Sequence, residues 1–164
     1  MATASYPKMM KTAELSAMAA PYNPREMLDH DWDQLRQSLR EFGCVQPVIV
    51  NKRTKENGWK ATDKPAIVGG HQRVRAAGDP DVAIDKMPVE WVDISELKER
   101  QLNLVLNRTS GDWEEDALER ALRVIEELGG GEALDFTGFD TDELEAYLGD
   151  PDGGGGGEGG GSFD

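Results

Sequence analysis

The chain has 164 residues, room for one compact domain with extensions, and a formal net charge of −14 that sits in its C-terminal third. No stretch of about 18 apolar residues is present to cross a bilayer, and residues 1–18 lack the continuous apolar core of a secretory signal. One cysteine, Cys44, permits no internal disulfide, which points to a cytoplasmic protein with no membrane partner.

In chain order, Lys11 to Leu15 reads as a short first strand, and Asn23-Pro24 marks a loop. From Asp29 the apolar positions Trp32, Leu35, Leu39 and Phe42 recur at helical spacing, and Gly43 ends that helix. Val45 to Val50 is a β-branched strand, Asn57-Gly58 a hairpin turn signal, and Pro65 to Val68 the next strand. A short helix, Gln72 to Ala77, stops at Gly78-Asp79-Pro80, and Val89 to Val92 forms a further strand. Asp93-Ile94-Ser95-Glu96 has capping-box spacing for a helix to about Asn107, broken by Thr109-Ser110-Gly111.

Trp113, Ala117, Leu118, Ala121, Leu122, Ile125 and Leu128 then make one apolar helix face, ended by Gly129-Gly130-Gly131. Asp112, Glu114, Glu115 and Asp116 suit the acidic first turn of that helix. Asp140-Thr141-Asp142-Glu143 caps a last short helix, with Phe139 placed to staple onto Leu144. Beyond Gly149 the chain is mostly glycine with aspartate and glutamate and a single large apolar residue, Phe163, a composition that builds no core. The alternation predicts an α/β (α+β) fold, a small mixed twisted sheet flanked by helices, with extra C-terminal helices. The expected organisation is a flexible N-terminus (1–9), a domain (10–108), a helical extension packed on it (109–148) and a disordered acidic tail (149–164).

Charge divides the same way. Residues 1–108 carry 16 Lys and Arg against 15 Asp and Glu, whereas residues 109–164 carry 2 against 17. Within the balanced part, residues 51–75 hold seven basic side chains against only Glu56 and Asp63. That excess would draw a phosphate-bearing ligand, or it is the solvated face of an ordinary hairpin; the acidic tail would repel a DNA duplex.

The basic stretch surrounds the most informative segment, Ile67-Val68-Gly69-Gly70-His71-Gln72-Arg73-Val74-Arg75-Ala76-Ala77. A strand, two glycines and a basic helix make an anion site, because the glycines allow close backbone approach and the helix start offers unpaired N–H groups. Arg73 adds a planar donor fork suited to phosphate. The same pattern fits a plain strand-to-helix turn with solvated arginines, and it is neither a Walker loop nor Gly-x-Gly-x-x-Gly. His71 at a helix start beside arginines would stay neutral, as an acid–base group or as a simple phosphate contact. His30 and His71 are the only histidines, so no zinc cluster is expected, and Cys44 reads as a structural thiol buried among Phe42, Val45 and Val48.

Three pieces in order resemble the N-terminal domain of the ParB/sulfiredoxin superfamily: Asn23-Pro24-Arg25 before a helix, Gly43-Cys44-Val45-Gln46-Pro47-Val48-Ile49-Val50 after it, and Gly70 to Ala77, similar to the family's GERRxxA box. A fourth, Leu104 to Trp113, and the run Leu134 to Asp140 resemble segments of phage-encoded ParB-like proteins. The resemblance covers roughly residues 10 to 148. It implies a nucleotide site, for CTP in ParB proteins and ATP in sulfiredoxins. Gln46 and the backbone around Pro47 would line base or ribose, Gly69, Gly70, His71 and Arg73 would hold phosphates, and Asn107 would close the site.

The departures are informative. His71 and Gln72 stand where the ParB box has glutamate and arginine, and Leu106 stands where a glutamate helps hold the metal, so Mg²⁺-dependent hydrolysis lacks a ligand. Sulfiredoxin chemistry needs a cysteine at the position of His71 and is excluded. The resemblance thus implies a ParB-like nucleotide-binding module (CTP or ATP) in phage or mobile-element DNA metabolism, a switch or accessory factor beside DNA or a DNA-modifying or packaging protein. It leaves weak NTPase activity open and, without helix-turn-helix and dimerisation regions, implies no plasmid segregation by this chain alone. Two other classes stay in view: a small-molecule phosphotransferase or nuclease of the superfamily with His71 as its catalytic residue, and an adaptor whose acidic tail docks on a basic partner.

Overall fold

The structure, a computed structural model, describes residues 7–19, 29–108 and 115–149. Asn23-Pro24-Arg25, the Thr109–Trp113 segment and the glycine-rich tail beyond Gly149 lie outside the described residues.

A four-stranded mixed sheet has the order β1-β4-β2-β3. Strand β4 (Lys86–Val92) pairs antiparallel with β1 (Lys8–Lys11) and parallel with β2 (Val48–Asn51), and β2 pairs antiparallel with β3 (Ala66–Gly69). The first strand therefore precedes the expected one. Lys11 ends it, and Thr12 opens the short helix α1 (Thr12–Ser16). The Thr12 N–H bonds the Asp85 carbonyl at 2.9 Å and its hydroxyl reaches the Ile84 carbonyl, so the chain turns there and buries Leu15.

Helix α2 (Asp29–Phe42) ends at Gly43, φ +69°, as its periodicity predicts. The Asn57-Gly58 pair does not make a two-residue hairpin turn. It closes a single 3₁₀ turn, Lys55–Asn57, inside the longer β2–β3 connection. Asn57 Nδ2 donates to the Asp93 carbonyl and carboxylate (3.1 and 2.9 Å), which pins the loop against the far end of β4. Asp93 is thus used by that loop, and Ser95, not Asp93, caps α4 (Glu96–Asn107), accepting from the Lys98 N–H.

One core, Leu15, Val48, Val50, Ile67, Val74, Ala77, Met87 and Val89, joins the sheet to α1 and α3 (His71–Ala77). A second joins Leu104 of α4 to Leu118, Leu122 and Ile125 of α5 (Glu115–Gly129) and to Ala133, Leu134 and Phe139 beyond it. Leu128, expected on the buried face of α5, is 45% exposed at the last turn of that helix. A 3₁₀ segment, Gly131–Phe136, leads to α6 (Thr141–Leu148), whose capping box is complete: Asp140 accepts from the Glu143 N–H and Glu143 from the Asp140 N–H. Among the described residues no helix is long and apolar enough to cross a membrane.

Candidate functional site

The site begins with a fault in the sheet. Ile49 pairs with Gly69 but Val50 pairs with Ile67, so Val68 is an extra residue in β3. Asn103 Nδ2 of α4 donates to the Val68 carbonyl at 2.8 Å and satisfies the group inside the protein. Such a bulge bends its strand and re-aims the residues after it. Here those residues are Gly69, then Gly70 in the left-handed region at φ +98°, then α3. A Cβ on Gly69 would sit 2.7 Å from Leu106 Cδ1, and one on Gly70 would sit 3.1 Å from Arg73 Nη2. Close packing demands the first glycine; backbone conformation demands the second.

Arg73 turns back across this corner. Its Nη1 donates to the Gln46 carbonyl and, at 3.4 Å, to the Pro47 carbonyl. That explains why β2 starts at Val48 and not at Val45: the Gln46 and Pro47 carbonyls face a guanidinium, and proline has no N–H for a ladder. Val45 is instead 77% exposed and Phe42 70% exposed. Cys44 is accordingly half-buried rather than enclosed by them, and its thiol donates to the Gln46 carbonyl at 3.2 Å. Burial raises the Cys44 pKa, with the nearby Arg73 charge opposing, so the group is a protonated thiol rather than a reactive thiolate. A guanidinium has five N–H donors, more than two carbonyls consume, so Arg73 can brace the turn and still face an anion.

His71 occupies the first position of α3, and both ring nitrogens are buried without a partner at hydrogen-bonding geometry. Burial lowers its pKa from 6.5 to about 4, while the Glu99 charge and the nearby Ile67 backbone pull weakly the other way. The imidazole is therefore neutral at pH 7. Asn107 is buried, but its Nδ2 donates at 2.6 Å to the Asn103 carbonyl one turn back, and its neighbour Leu106 is the side chain that covers Gly69. Gly69, Gly70, His71, Arg73 and the Gln46 and Pro47 carbonyls thus form one corner, with α4 laid across it.

The sequence pattern did not reveal what α4 contributes. Glu99, Asn103 and Asn107, spaced by four, are all buried and form a polar stripe on an otherwise amphipathic helix. Glu99 is fully buried and meets Arg53 Nη2 at 2.6 Å, Arg53 Nε at 3.0 Å and Asn51 Nδ2 at 2.6 Å. Arg53, at φ +57°, also lies 4.5 Å over the Trp59 ring, and the Trp59 indole N–H donates to the Ile94 carbonyl at 2.7 Å. This clamp fixes the lysine-bearing β2–β3 loop to the start of α4. The four-residue polar spacing was the available signal.

The residues fit an anionic ligand better than a protein-held metal. The aliphatic Leu106 packs over Gly69, and among the described residues no group of three or more His, Cys, Asp and Glu side chains could hold a metal ion.

Known proteins share this architecture. A probable chromosome-partitioning protein ParB of Helicobacter pylori is 30% identical over 127 residues, covering 73% of this chain and 39% of that protein. A probable chromosome-partitioning protein ParB of Campylobacter jejuni is 33% identical over 90 residues, covering 53% of this chain and 28% of its own length. The chain thus spans well under half of these relatives. The C-terminally truncated ParB of Caulobacter crescentus complexed with CTP-gamma-S is similar in fold (TM-score 0.51, 20% identity, 81% of this chain and 71% of that one). So is the same protein complexed to the centromeric parS site (TM-score 0.56, 18% identity, 88% and 73%). Residues 4–108 match the ParB N-terminal domain, the span that holds the sheet, the bulged strand, the glycine turn and α4, and the chain belongs to that family.

Proposed function

We propose that the chain is a nucleotide-binding module that holds a nucleoside triphosphate by its phosphates at the Gly69–Gly70–α3 corner. Within DNA metabolism of a phage or mobile element, in the cytoplasm, it acts as a switch or accessory factor. The observation that carries this reading is the corner itself: a bulge, a glycine at φ +98° and an arginine braced on two backbone carbonyls bring N–H groups and positive charge to one point. CTP is the first candidate and ATP the second, since the Caulobacter crescentus neighbour was solved with CTP-gamma-S. With Leu106 over Gly69, this chain binds nucleotide with whatever cation the triphosphate brings, and its own side chains do not drive hydrolysis.

The test is a thermal-shift screen of CTP, ATP, GTP and UTP with and without Mg²⁺, followed by calorimetry on Arg73→Ala. Losing charge-assisted bonds worth about 1.5–3 kcal/mol should weaken affinity by roughly one to two decades. Denaturant melts of the same variant separate that loss from any loosening of the Gln46 loop. If the wild type binds no nucleotide at about millimolar concentration, the corner is only a turn and the reading fails.

A further inference from the structure

Three pairings hold β3 on β2: Asn51 with Ala66, Val50 with Ile67, and Ile49 with Gly69. Ile67 is fixed by the core beneath the sheet, and α3 is fixed by Val74 and Ala77 in that same core. Val68, Gly69 and Gly70 must therefore cross a set gap, and they have two ways to do it. In the observed way, Val68 is the spare residue of the strand, and the turn is short, with Gly70 at φ +98°. In the other, Val68 would continue the regular ladder opposite Ile49, Ile67 would stay in the core, and the spare residue would pass into the turn. A phosphate cradle needs the first, because a turn one residue longer no longer holds its N–H groups to one point.

Two residues of α4, one turn apart on the same face, distinguish these arrangements. Asn103 favours the bulge: its Nδ2 donates at 2.8 Å to the Val68 carbonyl, and both residues are buried. A buried carbonyl that lost this donor would be left costly and unmatched. Leu106 opposes the alternative. Glycine opposite Ile49 leaves that place without a side chain, and a Cβ there would lie 2.7 Å from Leu106 Cδ1, 3.6 Å from its Cβ and 3.7 Å from its Cγ. The Cδ1 atom alone can rotate aside. A valine there would carry two methyls beyond its Cβ, toward the part of Leu106 that is fixed to the helix.

We propose that Asn103 and Leu106 are positioning residues that hold the spare residue in β3 as a bulge and so keep the Gly69–Gly70 turn short enough to bind phosphate. The proposal rests on the nucleotide reading above. It gives Leu106 a task at the position where the resemblance expects a metal-holding glutamate: the side chain is a wall that admits glycine opposite Ile49 and turns valine away. Asn103 supplies the attraction and Leu106 the repulsion, and together they select one register of two.

The experiment reads the register and the ligand on the same samples of the full chain: wild type, Asn103→Leu, Leu106→Ala, Leu106→Met and Asn103→Leu with Leu106→Ala. Nuclear Overhauser contacts report whether Ile49 faces Gly69 or Val68, calorimetry reports CTP and inorganic tripolyphosphate, and urea melts choose conditions in which each variant is folded. Asn103→Leu should show Ile49–Val68 contacts beside the Ile49–Gly69 ones and should bind both ligands roughly tenfold more weakly, as expected when a buried carbonyl loses its donor. Leu106→Met keeps the wall and Leu106→Ala keeps the donor, so each should stay close to wild type. The double variant should lose the Ile49–Gly69 contact, and its affinity should fall by more than the product of the single losses. Should the double variant not fold, the Ile49–Val68 contacts of Asn103→Leu decide alone. A purely structural role predicts lower melts with wild-type contacts and wild-type affinity in the folded molecules; that result would overturn the proposal, as would a slipped register that still binds phosphate normally. A wild type that binds neither ligand, with the register slipping in the variants, would defeat the nucleotide reading and leave Asn103 and Leu106 as the pair that sets the turn.

Discussion

Replacing His71 by leucine should change how stability depends on pH, and the structure sets the size and sign. The imidazole is buried with unpartnered nitrogens, and its pKa falls from 6.5 to about 4 because burial penalises the charged ring. The folded chain thus keeps His71 neutral over a range where the unfolded chain binds a proton. A depressed histidine pKa contributes full stability above about pH 6.5 and loses it progressively as pH falls through about 4, below which both states are protonated and the loss ends. The gap between the two values corresponds to about 3 kcal/mol in total, of which roughly 2 kcal/mol should be gone by pH 4.5. The assay is a series of urea melts of the nucleotide-free protein and of His71→Leu between pH 7.5 and 4.5. Carboxylates titrate in both proteins and cancel in the difference. At pH 7.5 the leucine variant should be at least as stable, since it removes two unmatched polar atoms; toward pH 4.5 its advantage should grow. Parallel pH profiles would show that the ring titrates as if solvated, and would refute the reasoning.

Two further substitutions probe the corner and its support. Gly70→Ala forces a side chain into φ +98° and places Cβ 3.1 Å from Arg73 Nη2, so denaturant melts should show a loss of about 1–3 kcal/mol, with Arg73 displaced from the Gln46 carbonyl. A cost below a few tenths of a kcal/mol would mean that the turn relaxes freely. Glu99→Leu strands Arg53 beside a fully buried position and should cost about 3–5 kcal/mol, while Glu99→Leu with Arg53→Leu should cost less than the sum of the singles. Additive effects in that double-mutant cycle would remove the clamp.

What was legible in the sequence was local. Helix α2, the Gly129–Gly131 stop and the Asp140–Glu143 capping box rest on contacts within a few residues, and periodicity or spacing reports those directly. The Gly69-Gly70 turn was visible because only glycine suits it. Elements that depend on a distant partner were misplaced. The start of β2 depends on Arg73, 27 residues away from Gln46. The Asn57 turn depends on Asp93, 36 residues on, and the Arg53–Glu99 clamp spans 46. The bulge at Val68 needs Asn103, 35 residues later, to donate to its carbonyl inside the protein. No window of neighbouring residues contains both halves of such a bond, so pattern reading drew regular strands where long-range hydrogen bonds had cut them short or bent them.

Those same long-range bonds make α4 the element on which the site rests. One side of the helix presents Glu99, Asn103 and Asn107 inward, where they take up Arg53, the Val68 carbonyl and α4's own backbone. Its other contacts run along the C-terminal helices in register. At one end Gly129 packs so tightly on Leu97 that a Cβ would sit 2.8 Å from Leu97 Cδ2. Further along, Gln101 Nε2 donates to the Ala133 carbonyl at 2.7 Å and Leu104 enters the second core. At the far end Arg108 pairs with Glu143 at 2.9 Å and lies 4.7 Å over Phe139. The family match stops at residue 108, yet cutting there would strip the cover from Leu97 and Leu104 while leaving the polar stripe in place. A helix polar on one side and newly bare on the other has less reason to hold its position, and Leu106 over Gly69 and Asn103 on Val68 would loosen with it. The acidic C-terminal helices therefore act on the Gly69–Gly70 corner through packing: they hold α4, α4 holds the bulge, and the bulge aims the glycine turn.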